Sequence, residues 1–164
     1  MSEPALTAVV DLDGVVADVR HRLHHVTGRD GRPKDWPAFV AAAGDDPLLT
    51  EGARTVHALA EAYDIVYLSG RPERLRATTE QWLRRHELPP GPVVLRPDRD
   101  FRPARRYKLD ALAQLAESRT VALLVDDDPR VLEDARNEGY DVLPATWMGQ
   151  EPALHEAQER DGRT

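Results

Sequence analysis

The sequence predicts an α/β fold in which a doubly wound parallel sheet is covered by helices on both faces and carries a small helical insertion. Two observations predict it. Short runs that are apolar on both faces, such as residues 65–68 and 121–125, are typical of buried parallel strands. These runs alternate with segments whose apolar residues recur at helical spacing, as expected of strand–helix–strand units. We expect one domain over 1–148, with an insertion over 19–48 and a charged C-terminal tail over 149–164.

Composition is that of a globular protein and excludes several classes of function. The chain is 41% apolar and 31% charged. Its net charge of −7 argues against nonspecific nucleic-acid binding in bulk, although it allows a local basic patch. The absence of cysteine removes disulfides and thiolate metal sites and favours a cytoplasmic location. No apolar run approaches the roughly 20 residues of a membrane span, and residues 1–4 lack the features of a signal peptide.

The first half of the chain is expected to run from a buried strand through the insertion. Glycine and proline mark a turn over 27–33. Asp35 is a good N-cap and Pro37 suits the first turn of the helix that follows. The elements expected here are a strand over 6–10 and helices over 19–26, 36–43 and 50–63.

The second half alternates strands with helices. Asp128 is expected to cap a helix, and Gly139 is expected to end the same helix. The tail helix is charged, so we expect it to be weakly held and to fray at Gly162. The strands expected are 64–70, 93–95, 120–125 and 140–144, and the helices are 71–86, 109–117, 130–137 and 151–160.

Two aspartates, Asp11 and Asp13, follow the first strand directly, with Gly14 after them. Residues i and i+2 of an extended chain point the same way, so both carboxylates can face one site at the strand's carboxyl end. Open α/β sheets bind their ligands at that edge. Two carboxylates this close repel each other unless a cation lies between them, which favours a divalent metal. Polar residues that merely end a strand are the alternative, and the spacing of glycine and acids does not fit an EF-hand loop.

Other polar residues are expected at the same edge. Ser69 ends the second strand, Asp126 and Asp127 follow the fourth, and Lys108 precedes the helix expected between the third and fourth strands. A cation there would offset the repulsion between a phosphate and a carboxylate nucleophile. Lysine, hydroxyl and backbone N–H groups would stabilise the transferring phosphoryl group. A second carboxylate would protonate the leaving oxygen and later activate water.

The order of these residues resembles that of the haloacid dehalogenase-like (HAD) phosphohydrolases. That family carries a DxD after the first strand, a threonine or serine after the second, a lysine or arginine, and then paired acids. The matching residues here are Asp11-Leu12-Asp13-Gly14, Ser69, Lys108 and Asp126-Asp127. The resemblance spans most of the chain and implies a Rossmann-like core and a Mg²⁺-dependent phosphatase.

The resemblance also implies a role for each motif residue. Asp11 would be the nucleophile that forms an aspartyl-phosphate, and Asp13 the general acid and base. Ser69 and Lys108 would hold the phosphoryl group. The implied magnesium ligands are Asp11, the backbone carbonyl of Asp13, and Asp126, with Asp127 in support through water or Lys108.

The length of the insertion gives information about the substrate, because the insertion is too short to form a large cap domain. That favours an open site and a bulky or polymeric substrate. The residues around Ser69, Thr79 and 95–108 resemble the phosphatase part of bacteriophage-type polynucleotide kinase-phosphatases, which remove 3′-phosphates from nucleic-acid ends and nucleotides. No GxxxxGK[ST] motif is present, so a kinase partner would be another polypeptide. The residues expected to bind substrate are Gly70, Arg71, Arg99 and Arg102.

An arginine-rich loop supports that interpretation. Its arginines alternate with aromatics, a pattern that can follow a nucleic-acid backbone and stack a base. A solvated loop that Asp98 and Asp100 partly neutralise is an equally supported interpretation. The loop's basic and aromatic residues are Arg96, Arg99, Phe101, Arg102, Arg105, Arg106 and Tyr107.

Three other interpretations remain open. A small-molecule phosphatase acting on nucleotides or sugar phosphates would share the chemistry and need no arginine loop. A receiver-like phospho-acceptor domain also uses acids and a lysine on a parallel sheet, but its lysine follows the acids, whereas Lys108 precedes the last ones. His21 pairs on a helix face with His24 or His25, which suggests zinc, but a third ligand is missing and a solvated or substrate-facing helix is favoured.

Overall fold

The computed structural model describes residues 5–28, 31–149 and 151–163. A five-stranded sheet, parallel throughout, has the strand order β3-β2-β1-β4-β5. The predicted α/β class is therefore confirmed. The strands are β1 (Leu6–Val10), β2 (Asp64–Pro72), β3 (Val93–Arg96), β4 (Thr120–Asp126) and β5 (Asp141–Pro144).

Helices connect the strands and carry the insertion. The described residues form the α-helices α1 (Trp36–Ala41), α2 (Thr50–Leu59), α3 (Arg76–Arg85), α4 (Ala104–Ala116), α5 (Pro129–Asn137) and α6 (Pro152–Asp161). Short 3₁₀ helices cover Arg20–His25, Ala42–Asp45 and Glu73–Leu75. Among the residues described, none of the helices is long and apolar enough to cross a membrane.

Two apolar layers lie on opposite faces of the sheet, because successive side chains of a strand point to opposite sides. On one face, Ala8 and Val10 of β1 pack with α2 and α3 in one cluster of buried residues. On the other face, Val9 packs with α4 and α5 in a second cluster. The parallel strands are thus covered on both sides, as their apolar sequences predict.

Helix α4 begins earlier than the sequence analysis predicted. It starts at Ala104 rather than at residue 109, with Pro103 as the N-cap residue. The arginines of this segment suggested a loop, yet Ala104, Tyr107 and Lys108 lie on the buried face, with Ala111 further along. Lys108 consequently lies within the second turn of the helix, which orients its side chain.

The insertion and the C-terminal helix share one apolar cluster. Val19 and Phe39 of the insertion pack with Leu154 and Ala157 of α6. The expectation of a weakly held tail helix was therefore wrong, because Leu154 and Ala157 are buried in this cluster. Its end at Gly162 was placed correctly: Gly162 has φ +58°, and a side chain there would collide with the backbone of Phe101.

The predicted turn over 27–33 is only partly described, since residues 29 and 30 lie outside the described residues. Gly28 and Gly31 on either side both have positive φ. Asp128 caps α5 as predicted, and its side chain accepts a hydrogen bond from the Arg130 N–H at 2.9 Å.

Candidate active site

The strand order explains why distant motifs meet. β1 lies between β2 and β4 at the centre of the sheet. Because all strands run the same way, their carboxyl ends lie at one edge, where open sheets bind ligands. One cavity at this edge brings together residues that follow β1 and β4, residues of β2, β3 and α4, and the C-terminal segment. It is lined by Asp11, Asp13, Gly70, Arg96, Ala104, Lys108, Asp127, Asp128, Leu154, Gln158 and Arg163.

Lys108 lies between two carboxylates. Its Nζ is 3.0 Å from Asp11 Oδ2 and 2.6 Å from Asp126 Oδ2, and the side chain is only 9% exposed. Burial would lower the pKa of Lys108, but the charges of Asp11 and Asp126 outweigh it and raise the pKa. The lysine is therefore a permanent cation at this position.

Asp11 is buried among other acids. Burial raises its pKa well above the usual value, Lys108 opposes the rise, and the charges of Asp126, Asp127 and Asp13 add to it. One oxygen, Oδ1, accepts the Leu12 N–H at 2.8 Å. The ionised form of Asp11 thus needs more positive charge than Lys108 alone provides.

A divalent cation would supply that charge, and the donor set suits one. Carboxylate oxygens of Asp11, Asp126 and Asp127 lie within 4.8 Å of one another, and all three residues are buried. Hard cations such as Mg²⁺ prefer such oxygen ligands. Burial also raises the pKa of Asp126, and the charge of Asp127 adds to this while Lys108 opposes it. The three carboxylates therefore fit a metal site.

Asp13 faces a different set of partners. Its Oδ1 accepts from Arg71 Nη2 at 2.6 Å, Arg71 Nε at 3.0 Å and Arg22 Nη2 at 3.1 Å. Its buried Oδ2 has no partner among the residues that the structure describes. Burial would raise the pKa of Asp13, but Arg71 and Arg22 lower it to about 2. One oxygen of Asp13 is therefore fixed by two arginines, while the other has no hydrogen bond to any described residue.

Arg71 lies behind Asp13 rather than facing solvent. It was expected to bind substrate, yet it is 1% exposed and donates to Asp13, Asp46 and Thr79. Of the other residues predicted around it, Ser69 is buried and its Oγ accepts the Arg71 N–H at 3.1 Å. Gly70 lines the cavity.

Two further residues, Arg22 and Asp46, complete this arrangement around Asp13 and Arg71, and neither was predicted from the sequence. Arg22 is 1% exposed and bridges Asp13 to Asp46, which accepts from its Nε at 2.7 Å. A signal for Arg22 existed, because it lies three residues after Val19 and four before Val26, on the apolar face of its helix. Asp46, between Asp45 and Pro47, carried no such signal.

The histidines of the insertion form no metal site among the described residues. His21 Nε2 lies 2.7 Å from Asp46 Oδ1, and the rings of His24 and His25 are 4.0 Å apart.

Most arginines of the loop already have acidic partners. Arg102 pairs with Asp100 and Asp110. Arg105 pairs with Glu159 at 3.0 Å, and Arg99 is exposed. Phe101 is 52% exposed and stacks with Arg163, whose Cζ lies 4.5 Å from the ring centroid.

Arg96 differs from the other loop arginines because it is buried, with 3% exposure. Its Nη1 donates to the carbonyls of Arg102 at 2.7 Å and Gly162 at 3.1 Å, and its Cζ lies 4.6 Å from the Tyr107 ring centroid. Nε and Nη2 have no partner within the part of the chain that the structure describes. These two N–H groups form the edge with which arginine binds carboxylate or phosphate bidentately. The guanidinium is thus held in place with one buried edge whose N–H groups lack a partner among the described residues.

Comparisons with known proteins agree with this geometry. Residues 5–146 match the family described as the polynucleotide kinase PNKP phosphatase domain. A chain of a Pnkp1/Rnl/Hen1 complex superposes with a TM-score of 0.67 at 23% identity, over 88% of this chain and 47% of that one. The class C acid phosphatase of Bacillus anthracis with tungstate bound gives a TM-score of 0.60 at 16% identity, over 99% and 81% of the two chains. Phosphatidic acid phosphohydrolase 1 of Saccharomyces cerevisiae is 31% identical over 135 residues.

Each similarity applies only to the part of the other protein that this chain covers. The chain spans 14% of the yeast protein and less than half of the chain from the Pnkp1/Rnl/Hen1 complex. At their low identity, the two structural likenesses establish the fold. The family match includes every motif residue from Asp11 to Asp127.

Proposed function

This chain belongs to the family of polynucleotide kinase PNKP phosphatase domains, and on that premise we propose that it removes 3′-phosphates from nucleic-acid ends through a phosphorylated Asp11 with bound Mg²⁺. The family membership confirms the HAD resemblance inferred from the sequence and makes the chain a phosphatase. The mechanism, the metal and the substrate class are our proposals.

The observation that carries the mechanism is the arrangement of the two aspartates in one cavity. Asp11 lies beside Lys108, and Asp13 presents one unpartnered oxygen. An Asp11 oxygen attacks phosphorus, the ester P–O bond breaks, and the leaving oxygen takes a proton from Asp13 Oδ2. Asp13 then accepts a proton from water, which attacks the aspartyl-phosphate and releases inorganic phosphate and free Asp11.

The first proton must come with the substrate. A carboxyl with a pKa of about 2 is ionised at neutral pH. A phosphate monoester has its second pKa near 6, so its monoanion brings a proton that can pass to Asp13 Oδ2 and then to the leaving oxygen. The arginines occupy Oδ1 and so leave Oδ2 as the oxygen that takes this proton.

Stabilisation of the transferring phosphoryl group falls to Lys108, with the Ser69 hydroxyl and nearby backbone N–H groups in support. Mg²⁺ held by Asp11, Asp126 and Asp127, with the backbone carbonyl of Asp13, would polarise the phosphoryl oxygens and offset their repulsion from the nucleophile.

The unpartnered edge of Arg96 favours a substrate with a second anionic group. Arg96 lines the same cavity as Asp11 and Lys108, and we propose that substrate binding exposes this edge to a phosphodiester next to the terminal phosphate. A nucleic-acid 3′ end offers both groups, whereas a sugar monophosphate offers one. The pairing of Arg102 and Arg105 with acids favours the small-molecule alternative, because it leaves less free charge for a polynucleotide backbone.

Substrate competition separates these alternatives. We expect a 3′-phosphorylated oligonucleotide to be hydrolysed with a kcat/KM at least about tenfold above that of the 3′-mononucleotide, since a bidentate arginine contact contributes roughly 1.5–3 kcal/mol. Arg96→Lys should reduce this ratio, because lysine keeps the charge but loses the planar edge. Arg106→Lys, which alters an exposed arginine of helix α4 in the same arginine-rich segment, is the matched control. An unchanged ratio in Arg96→Lys would favour the small-molecule phosphatase.

We also propose that the protein is located in the cytoplasm. The cysteine-free sequence favours the cytoplasm.

A further inference from the structure

The C-terminal helix α6 contributes to the active site although it lies beyond the residues matched by the family. The match ends at residue 146, and α6 covers Pro152–Asp161. Leu154 and Gln158 of α6 line the catalytic cavity, as does Arg163 just after it. The family's motifs therefore do not account for one wall of this site.

His155 is the residue of α6 that touches a motif side chain. Its Nε2 lies 2.9 Å from Asp127 Oδ2, and both side chains are 8% exposed. Asp127 belongs to the cluster of three carboxylates that fits a metal. The orientation of a buried carboxylate depends on its hydrogen-bond partners, and His155 is such a partner for Asp127.

The backbone at Gly14 also lies close to the same carboxylate. It has φ +81°, and a Cβ atom there would lie 2.1 Å from Asp127 Oδ2. The Asp127 side chain thus occupies the space that any larger residue at position 14 would fill. Between Gly14 and His155 it has little freedom to rotate.

The position of His155 is itself well defined, because α6 is tied to the rest of the protein along its length. Asp161 accepts from Lys34 Nζ at 2.9 Å and from Trp36 Nε1 at 3.0 Å. Glu159 pairs with Arg105 at 3.0 Å. These contacts reach the insertion and α4, so α6 holds His155 at a fixed distance from the sheet edge.

We propose that His155 is a positioning residue that orients the Asp127 carboxylate for binding of the divalent cation, which makes α6 a working part of the active site. The inference rests on the proposed metal-dependent function. His155 donates from Nε2 to Oδ2 and thereby leaves the remaining lone pairs of Asp127 to the cation. Outer partners of metal ligands commonly act in this way, and their loss costs roughly 10- to 100-fold in metal affinity or activity.

The test measures Mg²⁺ binding directly, by calorimetric titration without substrate. In His155→Leu, which keeps an apolar side chain of similar size, the Kd for Mg²⁺ should rise about 10- to 100-fold. In His155→Gln, whose amide nitrogen can replace Nε2, the Kd should return to within a few-fold of wild type. Activity measured against Mg²⁺ concentration should show the same order, with kcat at saturating Mg²⁺ changing much less than the half-saturating concentration.

Asp161→Asn is the matched control, because it weakens the attachment of the same helix without touching Asp127. It should lower Tm and leave the Kd for Mg²⁺ within about twofold of wild type. If His155→Leu does not fold, His155→Asn replaces it, since its shorter side chain is polar but does not reach Asp127. His155→Asn should then bind Mg²⁺ more weakly than His155→Gln.

The possible failures are distinguishable. Wild-type affinity for Mg²⁺ in His155→Leu, or in His155→Asn where that variant replaces it, would overturn the positioning role and leave the proposed function intact. An equal loss of affinity in Asp161→Asn would also overturn it, because helix attachment alone would then explain the effect. A wild-type protein that binds no Mg²⁺ would overturn the proposed metal and this inference together.

Discussion

Asp46→Asn should both destabilise the fold and slow catalysis. Asp46 is completely buried and accepts from Arg22 Nη2 at 2.8 Å and Arg71 Nη2 at 2.9 Å. Together with Asp13 these residues pair two carboxylates with two guanidinium cations, and His21 Nε2 also contacts Asp46 at 2.7 Å. Asparagine at position 46 keeps the volume but leaves one uncompensated positive charge in the interior.

The magnitude follows from that imbalance. Removing one partner of a buried ion pair costs about 3–5 kcal/mol, which for a domain of this size corresponds to a fall in Tm of roughly 6–20 °C. Since the same arginines fix Asp13 Oδ1, their reorientation should also displace the proposed acid–base oxygen. A displacement of about 1 Å can lower kcat about 100-fold.

Urea unfolding followed by tryptophan fluorescence measures the stability change, and Trp82 is well placed to report it because its Nε1 donates to the Asp46 carbonyl. Asp45→Asn, at the neighbouring exposed position, is the control and should stay within about 0.5 kcal/mol of wild type. A loss below about 1 kcal/mol in Asp46→Asn, with kcat within twofold, would refute the reasoning that buried charge balance holds the arginines and Asp13 in place.

Four further outcomes are expected. Asp11→Asn should reduce turnover more than about a thousandfold with little change in unfolding, because it removes the proposed nucleophile but almost no volume; near wild-type turnover would contradict the covalent mechanism. Chelation should abolish activity reversibly without a change in far-UV circular dichroism, since carboxylates at a preformed sheet edge hold the metal; activity in excess chelator would count against the site. Because the pKa of Asp13 is lowered to about 2, kcat/KM should fall as pH rises through the second pKa of the substrate, near 6. Across a series of aryl phosphates, the pH at which kcat/KM falls should follow the pKa of each substrate. If that pH is the same for every substrate, the titrating group belongs to the enzyme. Arg99→Ala combined with Arg102→Ala should weaken oligonucleotide hydrolysis by up to about tenfold and reduce its salt dependence, but leave aryl phosphate hydrolysis within twofold; equal effects on both substrates would remove these arginines from the substrate site.

Local patterns in the sequence predicted all five strands, and they were wrong mainly at the end of β2, which runs to Pro72 where a helix was expected from Arg71. Asp11 follows β1 and Asp126 ends β4, and both were expected at the same edge because parallel strands end together. Those predictions succeed because burial of a strand needs only an apolar run, which is visible within a few residues. The start of α4 was harder to predict. Arg105 and Arg106 suggested a loop, while the residues that form the buried face of the helix are more widely spaced in the sequence.

Pairings between charged residues far apart in the chain could be identified only in the folded structure. The partner of Asp13 is Arg71, 58 residues away, and that of Asp127 is His155, 28 residues away. Sequence patterns indicate which face of an element is buried, but charge pairing depends on where whole elements come to rest. An arginine or histidine on a buried face needs a counter-charge, and only the packing of the insertion and of α6 on the sheet edge decides which carboxylate provides it.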